Sequence, residues 1–202
     1  MEYLLQHRTS YGYADPVSVS HHAARLEPMT RGRQSCLEFG IRILPEPTSK
    51  GVREDYFGNR VTTFSIRQMH RKMEVVATSR VRVEALGTLD LGESPAWESV
   101  TRMFRDPVLA ENAKPYEFCL DSPMVRLSSG LAEFGRASFG EGVTLLGGVR
   151  DLVGRIFREF EFDPTATEVA TPLEEVFEKR RGVCQDFAHI GIGVLRSLGV
   201  PV

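Results

Sequence analysis

One cysteine in this chain stands where nucleophilic chemistry is favoured. In "RRGVCQDFAH" (Arg180 to His189), Cys184 follows a glycine and opens the first turn of an expected helix, with a histidine five residues later. A helix N-terminus carries unpaired N–H groups and partial positive charge. That field stabilises a thiolate over a thiol, and the thiolate is the nucleophile. Arg180 and Arg181, just upstream, are expected to add to it. Gly182 lets the backbone approach closely, and the Cys184 N–H with its neighbours can contribute to an oxyanion hole. The competing reading makes Cys184 a small buried packing residue. At 100° per residue Phe187, Gly191, Val194, Leu195 and Leu198 form one face, and Cys184 falls near its edge.

A cysteine nucleophile needs a base, and His189 is the obvious candidate. It lies five residues on, about 500° around a helix, whereas side chains meet at three and four residues. His189 is therefore expected on a different face, near Gln185 and Arg196, as a polar surface residue. Gln185 and Asp186 fall in the first turn, where an acidic side chain suits the helix dipole. The other histidines, His7, His21, His22 and His70, all lie in the first 70 residues. His21 and His22 would point to opposite faces of a strand, so they do not readily ligate one metal. Cys36, Cys119 and Cys184 are an odd number at wide spacing, which fits reduced thiols rather than a disulfide framework or a metal site. No phosphate-binding, dinucleotide or metalloprotease motif occurs, so no cofactor and no metal is expected.

The elements that must position Cys184 follow from hydrophobic period. The 202 residues are 42% hydrophobic and 26% charged, with net charge −2, an ordinary globular balance. Without a basic excess, nucleic acid and anionic membrane surfaces are not expected partners. "MEYLLQHRTSYGYADP" lacks the basic and apolar regions of a signal peptide, and no apolar run spans a bilayer, so a cytoplasmic location is expected. Residues 1–90 read as an antiparallel, β-sandwich-like module. In "CLEFGIRIL", Leu37, Phe39, Ile41 and Ile43 share one strand face. Thr62, Phe64 and Ile66 form another such face, as do Val75, Ala77, Val81 and Val83 within "MEVVATSRVRVEAL". "FGN" (Phe57 to Asn59) reads as the tight turn between two strands.

Residues 91–202 read as helical, so the fold class is α+β. Helices are expected to start at Ser94-Pro95 and at Ser122-Pro123, with serine as cap and proline in the first turn. "GVRDLVGRIFREFEF" places Val149, Leu152, Val153, Ile156, Phe157 and Phe160 on one stripe. In "ATPLEEVFEKRRG", Thr171 is expected to cap, Pro172 to take the first helical position, Glu174 the third, and Gly182 to end the helix. The last helix, from Cys184, closes at Gly199 and Pro201.

The run "TPLEEV…RRGVCQDFAH", followed by "LRSLGVP", resembles the nucleophile helix of the bacterial transglutaminase-like proteins, a family of the cysteine protease class. "YADPVSVSHHAARLEP" and "DYFGNRVTTFSI" are similar to segments of that family's N-terminal β-region. The resemblance covers most of the chain and is weakest from about 90 to 160. It implies a papain-like Cys–His–Asp arrangement with Cys184 as nucleophile, acting on a peptide or glutamine-type amide through a thioester. Water or an amine then resolves the intermediate.

The resemblance also implies a His and an Asp on strands that come after "SLGVP", and no residue here occupies those positions. The 202 residues are therefore expected to be the N-terminal portion of such a hydrolase or acyltransferase, incomplete after the nucleophile helix and inactive alone. The alternative is a non-catalytic binding module with Cys184 as a packing residue; a redox-sensing thiol would need a resolving cysteine nearby. The apolar Phe187–Val194–Leu198 face is expected to pack on preceding helices or on a second copy, so a homo-oligomer through that helix is an expected partner arrangement.

Overall fold

In the computed structural model the described residues are 1–85, 87, 90–105, 113–168 and 170–202, with no side-chain description at position 113. The chain divides into two compact units, Met1–Thr88 and Leu89–Val202. Antiparallel sheets fill the first and helices dominate the second, which is the α+β class expected.

The first unit holds two three-stranded sheets. One has the order β1 (Glu2–Val17), β6 (His70–Val83), β3 (Gln34–Leu44); the other has β2 (Ser20–Ala24), β5 (Arg60–Ile66), β4 (Ser49–Glu54). Period-two burial makes the core. Ile43, Met73 and Val75 from one sheet meet Phe64 and Ile66 from the other. The turn at "FGN" forms as expected, with Gly58 at φ 81°. Asp55 organises it, because its Oδ1 accepts from the N–H groups of Phe57 and Asn59 at 3.0 Å each. Leu86, the last residue of the "MEVVATSRVRVEAL" segment, lies outside the described residues. β1 is not among the strands expected from the sequence. Its residues are exposed along nearly the whole strand, so no buried alternation marks it.

The second unit begins with a 3-10 turn (Leu91–Glu93) and α1 (Trp97–Phe104). Then come α2 (Ala113–Glu117), α3 (Ser129–Arg136), α4 (Leu145–Glu159), β7 (Glu161–Phe162), α5 (Leu173–Lys179), β8 (Arg181–Gly182) and α6 (Cys184–Ser197). α6 is the central element. Ile190 and Val194 are fully buried, and α3, α4 and α5 pack around them. At Gly135 a β-carbon would come within 2.8 Å of Val194 and Leu198, so α3 and α6 touch where only glycine fits. Val194 is thus covered within the chain, with Phe187 and Leu198 packed at the edge of the same core.

Several helix boundaries differ from expectation, each for an identifiable reason. Ser94 does not cap α1, whose N-cap is Ala96; its hydroxyl instead accepts from Leu146 N at 3.0 Å, in the first turn of α4. Ser122 and Pro123 sit in a turn, and α3 starts at Ser129, capped by the Ser128 hydroxyl accepting from Leu131 N at 3.2 Å. Pro172 is the N-cap of α5 rather than its first residue, and the Thr171 hydroxyl turns back to accept from Glu168 N at 2.8 Å. α5 ends at Arg180 in the left-handed region, φ 54°, while Gly182 is part of β8. On α4, Leu152 and Ile156 are buried, but Val153 is 60% and Phe157 86% exposed, so the apolar stripe is narrower than the sequence predicts.

Candidate active site

Cys184 is the first residue of α6, behind Val183 in extended conformation, and its side chain is exposed. That placement does not fit a packing residue, whose thiol would be enclosed. Valine has no side-chain acceptor, so the helix is capped from inside. Asp186, in the third helical position, accepts from Val183 N at 2.8 Å through Oδ2. The same oxygen accepts from the Thr167 hydroxyl at 2.7 Å. Asp186 is only 5% exposed, so it is a buried lock and not merely an acidic residue near a dipole.

Gly182 serves that lock. A β-carbon there would stand 2.6 Å from Asp186 Oδ2. The glycine is needed for close approach, not for unusual dihedrals. β8 pairs in parallel with β7, Glu161 opposite Arg181 and Phe162 opposite Gly182. Asp163 N donates to Gly182 O at 2.9 Å, and the Asp163 carboxylate accepts from the Thr165 N–H and hydroxyl, which hold its pKa below the usual carboxylate value. The short loop of residues 163–167 is in this way fixed beside the first turn of α6.

The two arginines have occupations other than the one expected. Arg181 reaches Glu161 at 2.8 Å and Asp163 at 3.7 Å; the hydrogen bond it donates to Glu161, then that carboxylate's charge, raises the guanidinium pKa further. Arg180 lies over the rings of Phe177, Phe160 and Phe134, at 4.4, 4.6 and 4.7 Å to the centroids. Neither makes a hydrogen bond or ion pair with Cys184 among the described residues, so of the expected sources of positive charge the helix N-terminus is the one at Cys184.

His189 is half-buried in the second turn and makes no hydrogen bond, ion pair or ring contact among the described residues. Helix geometry separates it from Cys184, as expected. The remaining histidines belong to β1, β2 and β6 of the first unit. No group of three or more metal-ligating side chains occurs among the described residues. Cys119 donates to Gly199 O at 3.6 Å, at the opposite end of α6, about 20 Å of helix away from Cys184. It is therefore no resolving cysteine for Cys184. Burial pushes the Cys119 and Cys36 thiol pKa values up. The Thr167–Asp186 bond and the Arg180 contacts leave no mark in local sequence spacing. The spacing of Val183 and Asp186, an acidic residue three after an N-cap, was the one available signal.

Among the described residues, no helix is long and apolar enough to cross a membrane. Residues 3–82 match the family described as bacterial transglutaminase-like N-terminal region, and residues 138–202 match the transglutaminase-like superfamily. An uncharacterized protein of Mycobacterium tuberculosis (strain ATCC 25618 / H37Rv) is 30% identical over 201 residues, covering 98% of this chain and 62% of the relative. An uncharacterized protein of Mycobacterium leprae (strain TN) is 28% identical over 199 residues, covering 96% and 66%. The chain thus spans less than two thirds of the length of these relatives. A crystal structure from Cytophaga hutchinsonii, described as that of a "putative cysteine protease", superposes with a TM-score of 0.74 at 17% identity. It covers all of this chain and 67% of that one.

Proposed function

The chain belongs to the transglutaminase-like family, with the bacterial N-terminal region first and the superfamily core after it, and from this we propose that Cys184 is an acyl-transfer nucleophile. The observation that carries the proposal is the exposed thiol on the first residue of a helix inside the matched core. The Cys184 thiolate attacks the carbonyl carbon of a peptide or glutamine-type amide. The carbon–nitrogen bond breaks, the amine leaves with a proton from a general acid, and a thioester remains. Water or a second amine then attacks the thioester, giving hydrolysis or transamidation. N–H groups of the first turn of α6 face the developing oxyanion.

On this reading the second unit supplies no base to Cys184, since its one histidine, His189, is on a different face of α6. On this reading the second unit by itself does not turn over substrate. Loss of a triad's base removes several orders of magnitude in rate. A cytoplasmic setting, which keeps the thiol reduced, belongs to the same proposal.

Alkylation by iodoacetamide at neutral pH, followed by peptide mass mapping, tests this. Cys184 is expected to react roughly tenfold faster in the folded chain than in the guanidinium-unfolded chain, because only the folded helix supplies the N-terminal field. An equal or slower rate in the folded chain overturns the assignment. The placement of His189, the one histidine of the second unit, on a different face of α6 from Cys184 also favours a second reading: the same site binds an amide and leaves it intact. A stable complex of the chain with a glutamine-containing peptide, unaffected by Cys184→Ala, supports that reading.

A further inference from the structure

We infer that Arg180 is the positioning residue of the Cys184 site: its guanidinium, seated on three phenylalanine rings, fixes the turn from which the nucleophile helix departs. The inference rests on Cys184 being the nucleophile.

Arg180 has an uncommon backbone. It is the one non-glycine residue with positive φ among the described residues, and it closes α5 by donating its N–H to Val176 O at 3.0 Å. Helices that end with a left-handed residue usually place glycine there, because a β-carbon is unfavourable. An arginine at this position indicates that its side chain is required. That side chain lies over Phe134 from α3, Phe160 after α4 and Phe177 from α5, all within 4.7 Å of the centroids.

Hydrogen bonds do not explain the placement. Nη1 is buried without a hydrogen-bond partner, and the nearest carboxylate oxygen, Glu159 Oε2, is 3.7 Å away. The other oxygen of Glu159 accepts from Arg155 Nε at 3.0 Å. The guanidinium is held chiefly by ring faces, which suits a planar delocalised cation and not an ammonium.

The turn has no slack between this anchor and the sulfur. Arg180 O accepts from Glu161 N at 2.8 Å, Arg181 pairs with Glu161, Gly182 O accepts from Asp163 N, and Val183 N donates to Asp186. Cys184 follows immediately. A shift of Arg180 therefore passes through three tethered residues to the first turn of α6.

Two variants separate the side chain from the turn. Arg180→Gly keeps the left-handed backbone and removes the guanidinium; Arg180→Lys keeps the charge and removes the flat face. In both, iodoacetamide labelling of Cys184 relative to Cys119 is expected to fall about tenfold, as the N-terminal field moves off the sulfur. The labelling rate of Cys119, half-buried against Gly199 O, is expected to keep its wild-type value, whereas general loosening of the fold would raise it. Circular dichroism establishes that the variants are folded, and the lysine variant serves if the glycine variant is not. A labelling ratio unchanged within twofold in a folded variant, or a fall that comes only from faster labelling of Cys119, overturns the inference. A wild-type Cys184 that is no more reactive folded than unfolded overturns the nucleophile assignment instead, so the two failures are distinct.

Discussion

A β-carbon on residue 182 would stand 2.6 Å from Asp186 Oδ2, so Gly182 and Asp186 occupy one space that only this pairing fills. The neighbouring backbone offers no room to yield, because Gly182 O is bonded to Asp163 N and Val183 N to the same carboxylate. Gly182→Ala should therefore push Asp186 off its two donors. Overpacking and loss of the cap together are expected to cost about 1–3 kcal/mol. Labelling of Cys184 should slow in the same variant. Chemical denaturation measures the first effect; a variant as stable as wild type contradicts the packing described.

Asp186 itself can be divided into acceptor and charge. Asp186→Ala leaves Val183 N and the Thr167 hydroxyl without their shared partner, and is expected to cost about 1–3 kcal/mol. Asp186→Asn retains an oxygen able to accept both bonds and should recover most of that loss. Equal destabilisation by the two variants would mean that the charge, rather than the hydrogen bonds, holds the first turn of α6.

The legible parts of this molecule were those set by local period. Alternation gave the buried faces of β3, β5 and β6, and Gly58 with Asn59 marked the turn before β5. The same local logic located Cys184 at a helix start and removed His189 as its partner. It failed where a side chain serves a distant element. Ser94 looks like a cap for α1 but serves Leu146, 52 residues on. Thr167 reaches Asp186 across 19 residues, and the rings around Arg180 come from positions 134, 160 and 177. Spacing carries no trace of such tertiary pairings. β1 was missed for the opposite reason: it buries too little for its pattern to register.

The narrow stripe of α4 makes a sharp comparison. Leu152 is 1% exposed and Phe157 86%. Leu152→Ala is expected to cost about 2–5 kcal/mol, while Phe157→Gln should stay within about 0.5 kcal/mol of wild type. A large loss from Phe157→Gln, measured by denaturant unfolding, would show that this ring is packed in solution.

The first unit should respond to acid in two separate windows. His22 stacks on Phe64 at 4.8 Å, and burial, followed by the nearby His70 and His21, lowers its pKa. A lowered histidine pKa means that the unfolded chain binds the proton first. Its contribution is present above about pH 6.5 and is lost as pH falls from there toward the folded pKa. Asp55 titrates lower. The hydrogen bond from Arg25 holds its carboxyl at about 2, so its contribution is present above the unfolded value near 3.9 and disappears as pH falls toward 2. Thermal melts of the whole chain should therefore show a first decline in Tm beginning below about pH 6.5 and a second below about pH 4. His22→Phe should flatten the first and spare the second; Asp55→Asn should do the reverse. A wild-type Tm that stays constant from neutral pH down to about 4.5 contradicts the assignment to His22.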